Sequence, residues 1–70
     1  METELYESDP FSAKKGSLLV RFISDYRFQK GDEIYVYQKE GRQLKVRLID
    51  VRVHIQDGGR LTRELLGLKL

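Results

Sequence analysis

The chain has no cysteine and no tryptophan, one proline and one histidine. Without cysteine there is neither a disulfide staple nor a thiolate metal site, which favours a reducing compartment. No apolar run approaches the ~20 residues of a membrane-spanning helix, and the start lacks the pattern of a signal peptide. There is no glycine-rich phosphate loop and no Gly-x-Ser-x-Gly. His54 shares a strand face with Asp50 and Arg52, but a catalytic or metal site needs further nucleophiles, orienting groups or ligands. The acidic residues Glu2, Glu4, Glu7 and Asp9 lie on a segment with no fixed loop to converge them on a cation. The expectation is therefore a soluble, cytoplasmic, non-enzymatic protein without a cofactor.

Seventy residues allow one domain with a small core, whose net stability rarely exceeds about 3–5 kcal/mol. The charge is uneven. Residues 1–10 carry four acidic groups and no basic one, a net of −4, while residues 11–70 hold 13 basic against 7 acidic groups, a net of +6. An acidic arm over residues 1–9 on a basic body over 10–70 points to an anionic partner for the body or to self-screening by the arm.

What is present is β-sheet patterning. Asp9-Pro10 reads as a helix start, with Lys14, Lys15 and Gly16 at its end, giving a short helix over Pro10–Lys15 or a turn. Ser17–Ile23 is rich in β-branched and aromatic residues and reads as a strand that Ser24-Asp25 breaks. Tyr26 and Phe28 share a parity and are expected to point inward. Phe28–Asp32 supplies a turn, and Glu33–Lys39 the next strand.

From Gln43 to about Gln56 the pattern is that of one long strand. Leu44, Val46 and Leu48 alternate with Lys45 and Arg47, and from Ile49 the apolar parity slips by one. A parity slip requires an extra residue, most simply a β-bulge that bends the strand. Asp57-Gly58-Gly59-Arg60 is a turn, because paired glycines admit positive φ. The leucines after it fit no single strand register, and a helical turn at Leu61–Leu65 followed by a closing strand Leu66–Leu70 accommodates them. The fold class expected is mainly β: a bent, five-stranded antiparallel barrel. Its core draws on Leu18, Val20, Phe22, Phe28, Ile34, Val36, Val46, Leu48, Val51, Val53, Leu66 and Leu68.

The hairpin around Glu40-Gly41-Arg42 decides the exposed face. A three-residue loop sets Tyr37 opposite Lys45 and Tyr35 opposite Arg47, with Ile34 and Val36 on the apolar face. A two-residue loop mixes polar and apolar on both faces, so burial favours the first. Two aromatics among cations on a sheet suit single-stranded nucleic acid, whose bases stack on rings while Lys and Arg neutralise phosphates. The candidate nucleic-acid-binding residues are Tyr35, Tyr37, Arg42, Lys45, Arg47 and Arg52. The alternative is a protein-binding adaptor or inhibitor attached to a larger enzyme or assembly, with self-association a further possibility. That reading rests on the leucine-rich C-terminus leaving an apolar patch or an open edge.

The stretch Tyr26-Arg27-Phe28-Gln29-Lys30-Gly31-Asp32-Glu33-Ile34-Tyr35-Val36 resembles the diverging turn and following strand of Src-homology-3-like barrels. The chain has no Trp pair after the hairpin and no Pro-Ser-Asn-Tyr-like segment, so that resemblance implies a fold without implying proline-rich peptide recognition. With Lys14-Lys15-Gly16 and Arg21 ahead of it, the same stretch is also similar to PUA-like domains of the ASCH type. Those domains are associated with RNA.

Overall fold

Ile49 is the extra residue of a β-bulge. Leu48 pairs with Gly67 and Asp50 with Leu66, so Ile49 has no partner on the neighbouring strand. A computed structural model of the chain describes residues 1–12 and 14–70. The strands are β1 (Glu2–Ser8), β2 (Lys15–Ile23), β3 (Glu33–Tyr37), β4 (Gln43–Ile55) and β5 (Leu61–Lys69), with a 3-10 turn at Lys39–Gly41. They form one sheet in the order β2-β1-β5-β4-β3, antiparallel except for the parallel pair β1 and β5. The bulge in β4 and two irregularities in the β1–β2 ladder curl this sheet into a half-barrel. β2 and β3 are its two open edges. No helix is long and apolar enough to cross a membrane among the described residues.

The acidic segment expected to be an arm is β1, which lies between β2 and β5 and buries Thr3, Leu5 and Ser8. Glu2 and Glu4 sit on the parity opposite Thr3 and Leu5, and Glu4 finds partners there. Glu4 accepts from Arg21 at 2.6 Å and from Tyr6 Oη at 3.0 Å. An alternating strand that is acidic on one face and apolar on the other reads as a tail if only its charge is counted.

Of the two readings for Pro10–Lys15, helix or turn, the turn holds at Pro10–Ser12, Lys15 already begins β2, and Ala13 lies outside the described residues. The capping chemistry is present all the same, since Asp9 Oδ1 accepts from the Phe11 and Ser12 N–H groups at 2.8 and 3.0 Å. Those two bonds hold the Asp9 carboxyl below its usual range.

β5 is one continuous strand where a helical turn and a shorter strand were expected. Leu65 belongs to the core with Leu5, Val36, Val46 and Leu48, while Leu66 points the other way and is equally buried. A strand covered on both faces carries no alternation for a period-two reading to find. Val20, Phe22, Phe28, Ile34 and Val51 pack against the core as expected, whereas Leu18 and Val53 are exposed. Gly67, also buried, allows β5 to approach its neighbours closely. A Cβ there would stand 3.1 Å from Val46 Cβ and 3.4 Å from Leu5 Cδ1.

Candidate functional site

β3 is a five-residue edge strand whose alternation fixes two faces. Ile34 and Val36 turn toward the core, and Glu33, Tyr35 and Tyr37 toward the outer face. The register with β4 sets Tyr37 opposite Gln43, Tyr35 opposite Lys45 and Glu33 opposite Arg47. This differs by two residues from the expected register, in which Tyr37 met Lys45 and Tyr35 met Arg47. The loop is still three residues, closed by the Gln38 N–H to Arg42 carbonyl bond at 2.8 Å, but it is Lys39–Gly41 rather than Glu40–Arg42. Glu40 and Gly41 both take positive φ there, 72° and 75°. A shift of two preserves every face, so the predicted grouping of Tyr35, Tyr37, Lys45 and Arg47 survives the change in pairing.

Tyr37 is 75% exposed and Tyr35 52%. Gln43 Nε2 donates to Tyr37 Oη at 3.2 Å, and Lys45 Nζ lies 5.6 Å from the Tyr35 ring centroid. Both rings are thus steadied from β4 with a face left to solvent.

The cations are less free than the sequence suggests. Glu33, which was outside the predicted set, takes Lys45 on one oxygen and Arg47 on the other, each at 3.0 Å. Lys45 first and then Arg47 hold the Glu33 carboxyl below its usual range, and Glu33 in turn raises the Lys45 ammonium. Arg52 is paired with Asp50 at 2.8 Å. It lies seven positions beyond Lys45, roughly 20 Å along the strand, and so extends the face rather than joining the tyrosine cluster. The Arg52 bond, with smaller help from the Val51 N–H and Lys30, keeps Asp50 below its usual range.

Arg42 sits at the other side of β3. With Lys39 it lines an open cleft of about 640 Å³ between the β2 and β3 edges, beside Val20, Val36 and Tyr37. Neither Lys39 nor Arg42 is in an ion pair among the described residues. Tyr37 borders both this cleft and the outer face, so the aromatic surface is continuous around the edge strand.

Sequence reasoning also missed the loop before β3. Tyr26, expected inward, is 62% exposed and meets the Phe28 ring edge-on, with centroids 4.7 Å apart. What fills the interior position instead is Arg63 of β5. Its guanidinium donates to Thr3 Oγ1, to the Tyr26 carbonyl at 2.7 Å and to the Ser24 carbonyl at 3.2 Å, and lies 4.9 Å from the Phe28 ring centroid. A buried guanidinium with no carboxylate is tolerable because each of its directions meets an oxygen or a ring face. The sequence carried no clear signal for this, since Arg63 sits between Thr62 and Glu64 in a strand without apolar alternation.

His54 bonds to Glu64 at 2.6 Å, not to Asp50, and the same carboxylate accepts from Lys15 at 2.7 Å. Lys15 first and His54 second keep Glu64 below its usual range. This trio links β2, β5 and β4 through one carboxylate.

Compared with protein-family models, characterised proteins and solved structures, the chain matches none.

Proposed function

We propose that this half-barrel is a non-enzymatic module that binds single-stranded RNA or DNA across the edge strand β3. The observation that carries the reading is the pair Tyr35 and Tyr37, exposed on one face and flanked by Lys45 and Arg47. Bases stack on the two rings. Phosphates meet Lys39 and Arg42 at the strand edge and Lys45 and Arg47 on the face, in competition with Glu33. Arg52 extends the track toward the bulge. Lys39 and Arg42, in no ion pair among the described residues, are the cations most available to phosphate, and the proposed setting is cytoplasmic. Stacking contributes about 1–3 kcal/mol per base when measured by alanine substitution. Tyr35→Ala with Tyr37→Ala should therefore lower oligonucleotide affinity at least tenfold in a protein that urea unfolding shows to be still folded, with a modest stability loss from the strand contacts. An unchanged affinity in the folded double variant rules the stacking role out.

A second reading, a protein-binding adaptor, is favoured by the open edges β2 and β3, which leave backbone groups unpaired along an apolar cleft of about 370 Å³. The leucine-rich C-terminus does not support it. Leu65 and Leu66 are buried, and β5 is an interior strand.

A further inference from the structure

We propose that the cleft between the Tyr26–Phe28 loop and β3 takes one guanine base of the bound strand, read by the carboxylate of Asp32. The inference rests on the nucleic-acid reading and adds base selectivity to it. The cleft is about 540 Å³ and is walled by Tyr26, Phe28, Ile34 and Tyr35, with Asp32 and Glu33 at its polar side. It opens beside Tyr35, so a base held there belongs to the same strand that stacks on the β3 face.

The walls are fixed before any ligand arrives. Phe28 is held edge-on by Tyr26 and by Phe22, and Arg63 lies 4.9 Å from its ring centroid. Asp32 is held more firmly still. Its N–H donates to the Gln29 carbonyl at 3.0 Å, and its own carbonyl accepts from the Leu48 N–H at 2.8 Å. Its Oδ2 accepts from the Gln29 N–H at 2.8 Å. Gly31, at φ 97°, permits this turn and donates to the Leu48 carbonyl at 2.7 Å.

The two carboxylates at the cleft differ in what they have left to offer. Both oxygens of Glu33 are taken by Lys45 and Arg47. Asp32 Oδ1 has no hydrogen-bond partner among the described residues, and Oδ2 has one lone pair remaining. The cleft therefore presents a fixed, acceptor-only fork. Guanine is the base that answers it, because its N1–H and N2–H₂ donate side by side to one carboxylate. Adenine and cytosine each set an amino donor next to a ring-nitrogen acceptor, which the second oxygen repels. Uracil flanks its one N–H with two carbonyl oxygens. A good two-point base contact discriminates by about tenfold or more against the wrong base.

The test is fluorescence anisotropy with labelled nine-residue RNAs, an all-uridine strand and three others carrying one central G, A or C. The single guanosine should tighten binding about tenfold over the uridine strand, with A and C within twofold of it. Asp32→Asn keeps an acceptor for the Gln29 N–H but turns a donor toward guanine, and should bring the four affinities within twofold of one another. Equal binding of all four strands by the unmodified protein overturns the guanine site and leaves strand binding standing. No binding of any strand overturns both.

Discussion

A side chain at Gly67 on β5 would press on Val46 of β4 and Leu5 of β1, so replacing it with alanine probes the close packing of these strands. A Cβ at this position would sit 3.1 Å from Val46 Cβ, 3.2 Å from Val46 Cγ2 and 3.4 Å from Leu5 Cδ1. Both neighbours are core residues with at most 1% of their surface exposed, so neither can swing into solvent. Overpacking of this kind costs about 1–3 kcal/mol. Reduced freedom of the unfolded chain returns about 0.4–1 kcal/mol for a Gly→Ala change. The expected net loss is roughly 1–2 kcal/mol, which in a domain of this size lowers Tm by about 5–15 °C. Trimming Val46 to alanine removes the 3.2 Å contact with Cγ2 but keeps the 3.1 Å contact with Cβ, so it relieves the crowding in part. Val46→Ala alone opens a cavity and destabilises, but combined with Gly67→Ala it should cost at least ~0.5 kcal/mol less than the sum of the two. Thermal and urea unfolding of the two single variants and the double variant close the cycle. A Gly67→Ala protein as stable as the parent, or a strictly additive double variant, refutes the close approach.

Glu33→Gln should strengthen oligonucleotide binding a few-fold, since it releases Lys45 and Arg47 for phosphates. Weaker or unchanged anisotropy titrations would remove those two cations from the interface. Acid should destabilise the protein through Glu64, whose folded carboxyl lies below its ordinary value of 4.5 because Lys15 and then His54 stabilise the charged form. A depressed folded value means that its contribution is complete above about pH 4.5 and is lost as pH falls through the lower folded value. Glu64→Gln should accordingly flatten the fall in urea midpoint between pH 5 and 3; an identical fall would assign it to other carboxylates.

The features legible in the sequence were those written in period two. The slip at Ile49 located a bulge to the residue, and the Asp57–Arg60 turn has both glycines at φ 88°. The grouping of Tyr35, Tyr37, Lys45 and Arg47 followed from burying Ile34 and Val36, and it tolerated a one-residue error in the loop position because that error shifts the register by two. Three things were hidden, each for a physical reason. β1 was read by its charge, although its apolar parity at Thr3 and Leu5 was what joined it to the sheet. β5 is buried on both faces at Leu65 and Leu66, which erases alternation. The pairings of Glu33 with Lys45 and Arg47, and of Arg63 with the Ser24 and Tyr26 carbonyls, are tertiary facts. The second joins residues nearly forty positions apart. The site lost most in translation on its electrostatics, because a cation counted along a sequence carries no sign of the carboxylate across the ladder from it.

If this surface binds single-stranded nucleic acid through both stacking and phosphate contacts, its affinity must be steeply salt-dependent. The most direct measurement is anisotropy of a labelled single-stranded RNA titrated with the protein at 50 and 200 mM salt. With about four phosphates neutralised, the single-strand slope is roughly −2.8, and affinity should fall about 50-fold over that range. Saturable binding with that loss is the predicted result. No binding at the lower salt, or binding that ignores salt, contradicts the account.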